Sequence, residues 1–282
     1  MAISGIGDLA GLFNRIIDDA FFLARARSLM PQLVTNMSAT GRADREMPRY
    51  SEPAAAQVVG ELEDLSIARA FAKTTVTISP AETGDQILLT DAKMETDPDQ
   101  AEADARTDLA YAIRRKVEED LVGLFSGFTT DKGAGSGTTA TFSSYAAAFA
   151  VLINNKAPGR VFAVNHPYHW HDIWVELGQP SANQAFLGEV ANEALREYFV
   201  SAISGMLWFI NPFIIPDATP DAVSGVFVRP ALAFDMRRAP RIEPERDASL
   251  RAWELNATMV YAFGERVDTY GIGMTADATE PT

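Results

Sequence analysis

The 282-residue sequence contains no cysteine. That absence excludes disulfide scaffolds, cysteine-ligated zinc or iron–sulfur centres and thiol catalysis, and it suits a reducing compartment. Lysine is scarce as well, with five residues beside 19 arginines. Positive charge is in deficit overall: 24 Lys plus Arg face 38 Asp plus Glu, for a formal net charge of −14. This balance excludes a nucleic-acid binder working through a broad basic face, because phosphate affinity comes from clustered cations. Long apolar runs are lacking. The one candidate, Tyr198–Pro216, is broken by Ser201, Ser204, Asn211 and two prolines, whereas a spanning helix needs about 20 mostly apolar residues. It predicts a helix end followed by a buried strand and no membrane span. Residues 1–30 hold Asp8, Asp18 and Asp19 and no basic stretch ahead of an apolar core, so they do not read as a secretory signal.

What is present suffices for a substantial core: 47% of residues are hydrophobic and 22% charged. Leu9, Leu12, Phe13, Ile16, Ile17, Ala20 and Leu23 recur at spacings of three and four, predicting an amphipathic helix over 6–30 that ends at Pro31. Such a terminal helix has little of its own chain to cover its apolar stripe. Asn36 to Ala56 reads as an extended, weakly structured arm. Lys73–Pro80 alternates with period two and is rich in β-branched residues, predicting a strand. Ala81–Gln86 reads as a turn and Ile87–Asp91 as a second strand. Upstream, Gln57–Gly60 pairs across an acidic tip, Glu61 to Asp64, to make a long hairpin-like excursion. Over 97–126, Asp97 and Pro98 suit a helix start, and Leu109, Ile113, Val117, Leu121 and Leu124 form one stripe. Thirty residues give a rod of about 45 Å, a structural spine. Asp131–Thr139 is a glycine-rich linker. Beyond it come helices at 143–154, 167–177 and 189–200, strands at 160–164 and 206–215, and then strands at 225–228, 231–234, 251–263 and 270–274.

The histidines are three, all in His166-Pro-Tyr-His169-Trp-His171. Two or three imidazoles at this spacing suit zinc or iron, which supports a reading as a soluble metal-dependent enzyme. The plainer reading is a loop-to-helix junction whose rings make ordinary hydrogen bonds. Gly133-Ala-Gly135-Ser-Gly137 lacks the Gly-Lys-Ser/Thr of a phosphate loop and follows a helix instead of a strand, so a flexible linker is expected there. The nucleophile elbow and the H-E-x-x-H signature are both missing, and no carboxylate pair stands out for acid–base work. The expectation is a protein that is not an enzyme and needs no cofactor.

Arginine, which pairs bidentately and is favoured at buried interface contacts, carries the positive side of a charged run. Arg229, Arg237, Arg238, Arg241, Arg246 and Arg251 interleave with Asp235, Glu243, Glu245 and Asp247. Ordinary surface pairs of this kind are worth about 0–1 kcal/mol each. A terminal helix, an extended arm, a long hairpin and a long spine nevertheless leave more surface than one compact protomer can cover. The sequence reads as one built to be surrounded by copies of itself.

In this order the elements resemble the major capsid proteins of tailed bacteriophages, with the Hong Kong 97-type coat fold. Thr74-Thr-Val-Thr-Ile-Ser-Pro80 through Gly84-Asp85 to Leu89-Thr90-Asp91 is similar to the family's hairpin-to-peripheral-domain stretch. Arg251-Ala-Trp-Glu-Leu-Asn-Ala-Thr-Met259, with Tyr261-Ala-Phe-Gly264 and Asp268, is similar to its closing strands. The resemblance covers nearly the whole chain, and its specificity lies in order and spacing.

The resemblance implies an α+β fold. Residues 1–45 form an N-terminal arm and 46–90 an extended β-hairpin loop over a neighbouring subunit. Residues 91–135, with the spine helix, belong to a peripheral domain, and 136–222 make an α/β axial domain. Residues 223–282 return to the peripheral domain as strands and a C-terminal tail. It implies a virion protein that self-assembles, as hexamers and pentamers, into the icosahedral head shell around a double-stranded DNA genome. Assembly takes place in the host cytoplasm. A separate scaffolding protein and a portal are partners during assembly, DNA is held without sequence specificity, and a decoration protein is an optional partner. Candidate intersubunit contacts are Glu61, Glu63, Asp64, Arg69 and Lys73 on the loop, and Arg237, Arg238, Arg241, Glu243 and Glu245 on the return segment. Some relatives join subunits through a Lys–Asn isopeptide bond; no such chemistry is assigned to Lys73. An acidic wall suits a container, because it repels phosphate and leaves the packaged genome mobile. A virion accessory protein such as a tail tube is the third reading.

Overall fold

The computed structural model describes residues 28–50, 73–96, 101–178, 202–203 and 205–281, together with Ala56, Val58 and Glu61. The first half runs α1 (Met30–Leu33), β1 (Thr35–Ser38), β2 (Arg45–Tyr50), β3 (Lys73–Ile78), β4 (Ala81–Thr90), α2 (Asp91–Thr96) and α3 (Ala101–Gly123). Then follow α4 (Phe142–Asn154), β5 (Val161–Asn165), α5 (Pro167–Gly178), β6 (Ala202–Ile203) and β7 (Met206–Ile210). The chain closes with β8 (Asp221–Val228), β9 (Leu232–Asp247), β10 (Ala252–Glu265) and β11 (Gly271–Asp277). Helices and sheets are mixed, as expected of an α+β fold. Among the described residues no helix is long and apolar enough to cross a membrane.

The spine helix forms where its stripe lies. Leu109, Ile113, Val117 and Leu121 of α3 are buried against Leu255, Ala257, Met259 and Tyr261 of β10. At 23 residues it is about 35 Å long. Its expected start at Asp97 lies outside the described residues. Its expected end at Ser126 is corrected: after Gly123 the chain tightens into a 3₁₀ turn, Leu124–Gly127. Three residues per turn shift the apolar stripe, so Val122, Phe125 and Phe128 are buried while Leu124 is only half-buried.

Two sheets share the core. One has the order β1-β9-β10-β4 and the other β11-β8-β5-β7-β6. In the second sheet Tyr145, Ala148 and Leu152 of α4 and Ile173 and Leu177 of α5 cover one face of β5, β7 and β8. The 3₁₀ turn and the spine helix cover the other. Strand β5 reads as a continuous apolar run because Val161 and Ala163 enter one core while Phe162 and Val164 enter the other.

Several sequence expectations need correction. Ala81–Gln86 is no turn: β4 runs unbroken from Ala81 to Thr90 and pairs antiparallel with β10 from Tyr261 to Ala252. Its polar residues sit on an edge strand, where an exposed face tolerates them. The arm over 36–56 is not weakly structured throughout. Residues Thr35–Ser38 lie parallel to Ala233–Met236 of β9, and Arg45–Tyr50 pairs antiparallel with Lys73–Ile78. The partner of β3 is therefore β2; of the Gln57–Gly60 segment only Val58 is described, so its expected pairing across the tip lies outside the described residues. Pro31 sits inside α1 at its first turn, a position proline tolerates. The strand expected over 206–215 stops at Ile210, and the one expected over 231–234 starts at Leu232, after a 3₁₀ turn at Arg229–Ala231, and runs on as the sixteen-residue β9. Of the helix expected over 6–30, residues 6–27 lie outside the described residues, Ser28 and Leu29 are not helical and Met30 opens α1; the helix expected over 189–200 lies outside the described residues.

The glycine-rich linker is held, which corrects its reading as flexible. Lys132 N–H donates to Gly273 O (3.0 Å) and Gly135 N–H to Thr275 O (3.0 Å). A Cβ on Gly133 would come within 2.1 Å of the Thr275 carbonyl oxygen, and Gly135 has φ +98°. The glycines let the backbone lie flat on the edge of β11.

Candidate assembly surface

Ionic contacts converge where the β2–β3 ribbon meets the β1-β9-β10-β4 sheet. Asp235 of β9 is fully buried, facing Met37 across one ladder and Ala262 across the other. Its Oδ2 lies 2.8 Å from Arg45 Nε of the ribbon and 2.9 Å from Arg237 Nε. The Arg237 side chain is 6% exposed and that of Arg45 27%. Two cations thus share one desolvated carboxylate, which ties the β2–β3 ribbon to the β1-β9-β10-β4 sheet.

A second carboxylate repeats the device nearer the surface. Glu82 of β4 pairs with Arg42, in the turn before the ribbon, and with Arg238 of β9. These two guanidiniums hold its acid below the ordinary carboxylate range. Arg238 Nη2 also donates to Thr258 Oγ1 at 3.1 Å. Between Met236 and Arg241 the β9–β10 register shifts twice, bulges that bend the strand and change which way its arginines point. Arg241 pairs with Glu243 at 3.1 Å, both half-exposed. Glu245 stands directly opposite Glu254, a like-charge pair that costs stability unless a cation joins it.

The structure therefore places the sequence-selected residues in three groups. Arg237 and Arg238 are engaged within the subunit. Arg241, Glu243 and Glu245 lie on the exposed stretch of β9, and Lys73 is exposed at the start of β3. Glu61 is exposed, while Glu63, Asp64 and Arg69 fall outside the described residues.

Sequence reading missed two acids. Asp235 was noted only as one charge among many, and Glu118 not at all. Glu118 is wholly buried in α3. Its carboxylate accepts from Ser28 Oγ (2.9 Å), Leu29 N–H (3.0 Å), Met30 N–H (2.9 Å) and Asn211 Nδ2 (2.7 Å). The available signal was its position: residue 118 follows Val117 in the apolar stripe, one step round the helix from the core.

The histidines do not gather as three ligands. Ser224 Oγ accepts from His166 N–H at 3.0 Å and lies 2.8 Å from His169 Nδ1. His169 Nε2 is 3.1 Å from Ala276 O, a carbonyl that can only accept, so the proton sits on Nε2 and Nδ1 accepts from the serine. Both nitrogens of His169 are engaged in the fold. His171 is half-exposed, 3.5 Å from Asp172 Oδ1. Among the described residues no three His, Asp or Glu side chains stand together as metal ligands would. Burial, then the neighbouring His169, pushes His166 down to about 4; burial lowers His169 as well.

A pH dependence follows. Below the ordinary histidine value of 6.5 the unfolded chain takes up protons that the buried rings refuse, so stability falls with pH. Asp217, Asp221 and Asp247, held low by hydrogen bonds, lose their contribution only below 3.8. Thermal melting should therefore decline already between about pH 6.5 and 4, and His166→Gln should flatten that part of the profile. A melting temperature unchanged down to pH 4 would show that the rings accept protons in the folded state.

Comparison with known proteins points one way. A family model described as phage capsid protein matches residues 73–272. No curated protein matches the chain. Among solved structures, a chain from Mycobacterium phage Che8 superposes with TM-score 0.68 at 15% identity, covering 88% of this chain and 91% of that one. The head structure of Helicobacter pylori bacteriophage KHP40 gives 0.70 at 9% identity, covering 92% and 94%. The capsid of cyanophage P-SCSP1u gives 0.67 at 10% identity, covering 92% and 94%. At such identities the likeness is one of fold, and the fold is the Hong Kong 97-type.

Proposed function

The chain belongs to the phage capsid protein family, and from that premise we propose how its parts serve the head shell that it forms as a major capsid protein. The family match over 73–272 carries the reading. Copies meet as hexamers and pentamers, with a scaffolding protein and a portal engaged during assembly in the host cytoplasm and double-stranded DNA packaged afterwards. A formal charge of −14 supports a wall that does not bind that DNA tightly. A decoration protein is an optional partner. The chain's role is structural and not catalytic.

The arm is residues 1–45 and the extended loop 46–90. The peripheral domain combines 91–135 with 223–282, and the axial domain is 136–222. The loop reaches a neighbouring copy by charge. Its acidic tip, Glu61, Glu63 and Asp64, meets the exposed Arg241, while Arg237 and Arg238 stay paired within the subunit. Arg69 and Lys73 meet Glu243 and Glu245. What supports this is complementarity: on the exposed stretch of β9 Glu245 stands opposite Glu254, and the loop carries the cations Arg69 and Lys73.

Co-expression with the scaffolding protein, followed by negative-stain microscopy, tests the reading. Closed isometric particles are expected; helical tubes or a stable monomer would overturn it. A variant carrying Glu61→Lys, Glu63→Lys and Asp64→Lys should lower particle yield at least about tenfold at low salt. Adding Arg241→Glu should recover part of the loss.

A further inference from the structure

We propose that Glu118 is a latch that fixes the direction in which the N-terminal arm leaves the body and couples it to the loop after β7. The carboxylate lies wholly inside the protein, yet the four donors that meet it among the described residues are all neutral. Two are backbone amides, Leu29 and Met30, and one is the Ser28 hydroxyl. The fourth, Asn211 Nδ2, comes from the segment that follows β7.

Each contact has a local reason. Leu29, the residue before α1, makes no side-chain cap of its own, so the free amides at the start of that turn need a distant acceptor. Glu118 is that acceptor, delivered by a rigid helix. Asn211 is itself held: its N–H donates to Asn165 O at 2.9 Å, and its Oδ1 accepts from Phe213 N–H at 2.9 Å. It therefore connects the end of β5 to the carboxylate. Met30 is fully buried beside the spine stripe. The arm root is thus held by packing and by a charge-assisted set of hydrogen bonds, and a buried acceptor is weakly screened by salt.

The consequence is coupling. One carboxylate serves the arm root and the loop at 211, so loosening the loop weakens the acceptor's placement for the arm. A cap acting only on α1 would show no such dependence. In a shell the arm meets neighbours at more than one angle, and a latch at its root lets a movement in the axial part release it. This last step rests on the coat-protein reading; the latch does not.

Amide hydrogen exchange on the full chain tests it. In Glu118→Gln, which keeps size but loses one acceptor, peptides covering 28–33 should exchange about tenfold faster or more, while β10 peptides keep the wild-type rate. In Asn211→Ala the same arm peptides should also speed up, by less. Wild-type exchange at 28–33 in Asn211→Ala would overturn the proposal. So would an equal rise across β10 in Glu118→Gln, which marks general destabilisation. If exchange behaves as expected but no variant, nor the parent, forms shells, the coat reading fails and the latch stands.

Discussion

Phe125→Ala should destabilise the protein by about 3–5 kcal/mol, the usual cost of deleting a large ring from a close-packed core. Its melting temperature should fall by about 6–15 °C. The residue is fully buried in the 3₁₀ turn after the spine helix, and its ring fills the space between helix and five-stranded sheet. Phe227 lies 5.5 Å away between ring centroids and Phe128 6.4 Å. Across from it the sheet has made room: a Cβ on Gly225 would stand 2.5 Å from the Phe125 ring. Gly225→Ala alone should therefore be costly as well, because ring and methyl compete for one volume. Together the two substitutions should cost clearly less than their sum, since the methyl partly fills the void left by the ring. Equal and additive losses in denaturant melts would show that ring and glycine do not share a contact.

That ring-against-glycine contact marks the boundary of what the sequence reveals. The spine was legible because Leu109, Ile113, Val117 and Leu121 repeat at one helical spacing and all pack on β10. The buried strand β5 was legible as a short apolar run. The arm strand β1, with residues Thr-Asn-Met-Ser, was not: it is polar and short, and it exists as a strand because β9 offers a free edge. Strand β4 was misread for the same reason, since its first six residues, Ala-Glu-Thr-Gly-Asp-Gln, carry turn chemistry that ten ladder partners on β10 override. Charge was harder still. Composition singles out arginine, but only the fold shows that Asp235 collects two of them from segments 190 and two residues distant. Glu118 likewise gives no local sign of the contacts it collects from residues 28–30 and 211.

Asp235→Ala is expected to be the most damaging change at the ribbon. Removing one partner of a buried ion pair costs about 3–5 kcal/mol, because the remaining charge has no compensation. Here Arg237 is the stranded group, with its side chain 6% exposed. Arg45, 27% exposed, can turn toward water, so Arg45→Ala should cost less in melting. The two losses differ in kind. Arg45 is the ribbon's first residue, and its pairing with Asp235 joins β2–β3 to a strand locked between β1 and β10. Without it the β2–β3 ribbon keeps its own ladder but loses its fixed angle to the sheet. Arg45→Ala should thus melt within about 1–2 kcal/mol of the parent and yet give few closed particles. The decisive variant combines Asp235→Leu with Arg237→Met. An apolar pair of similar size often restores stability where a buried ion pair stood, so melting should recover to near the parent. Assembly should not recover, because Arg45 still lacks its anchor. Closed shells at parental yield from that double variant would show that the loop's angle is set elsewhere. A stability loss under about 1 kcal/mol in Asp235→Ala would show that the carboxylate is not the joint.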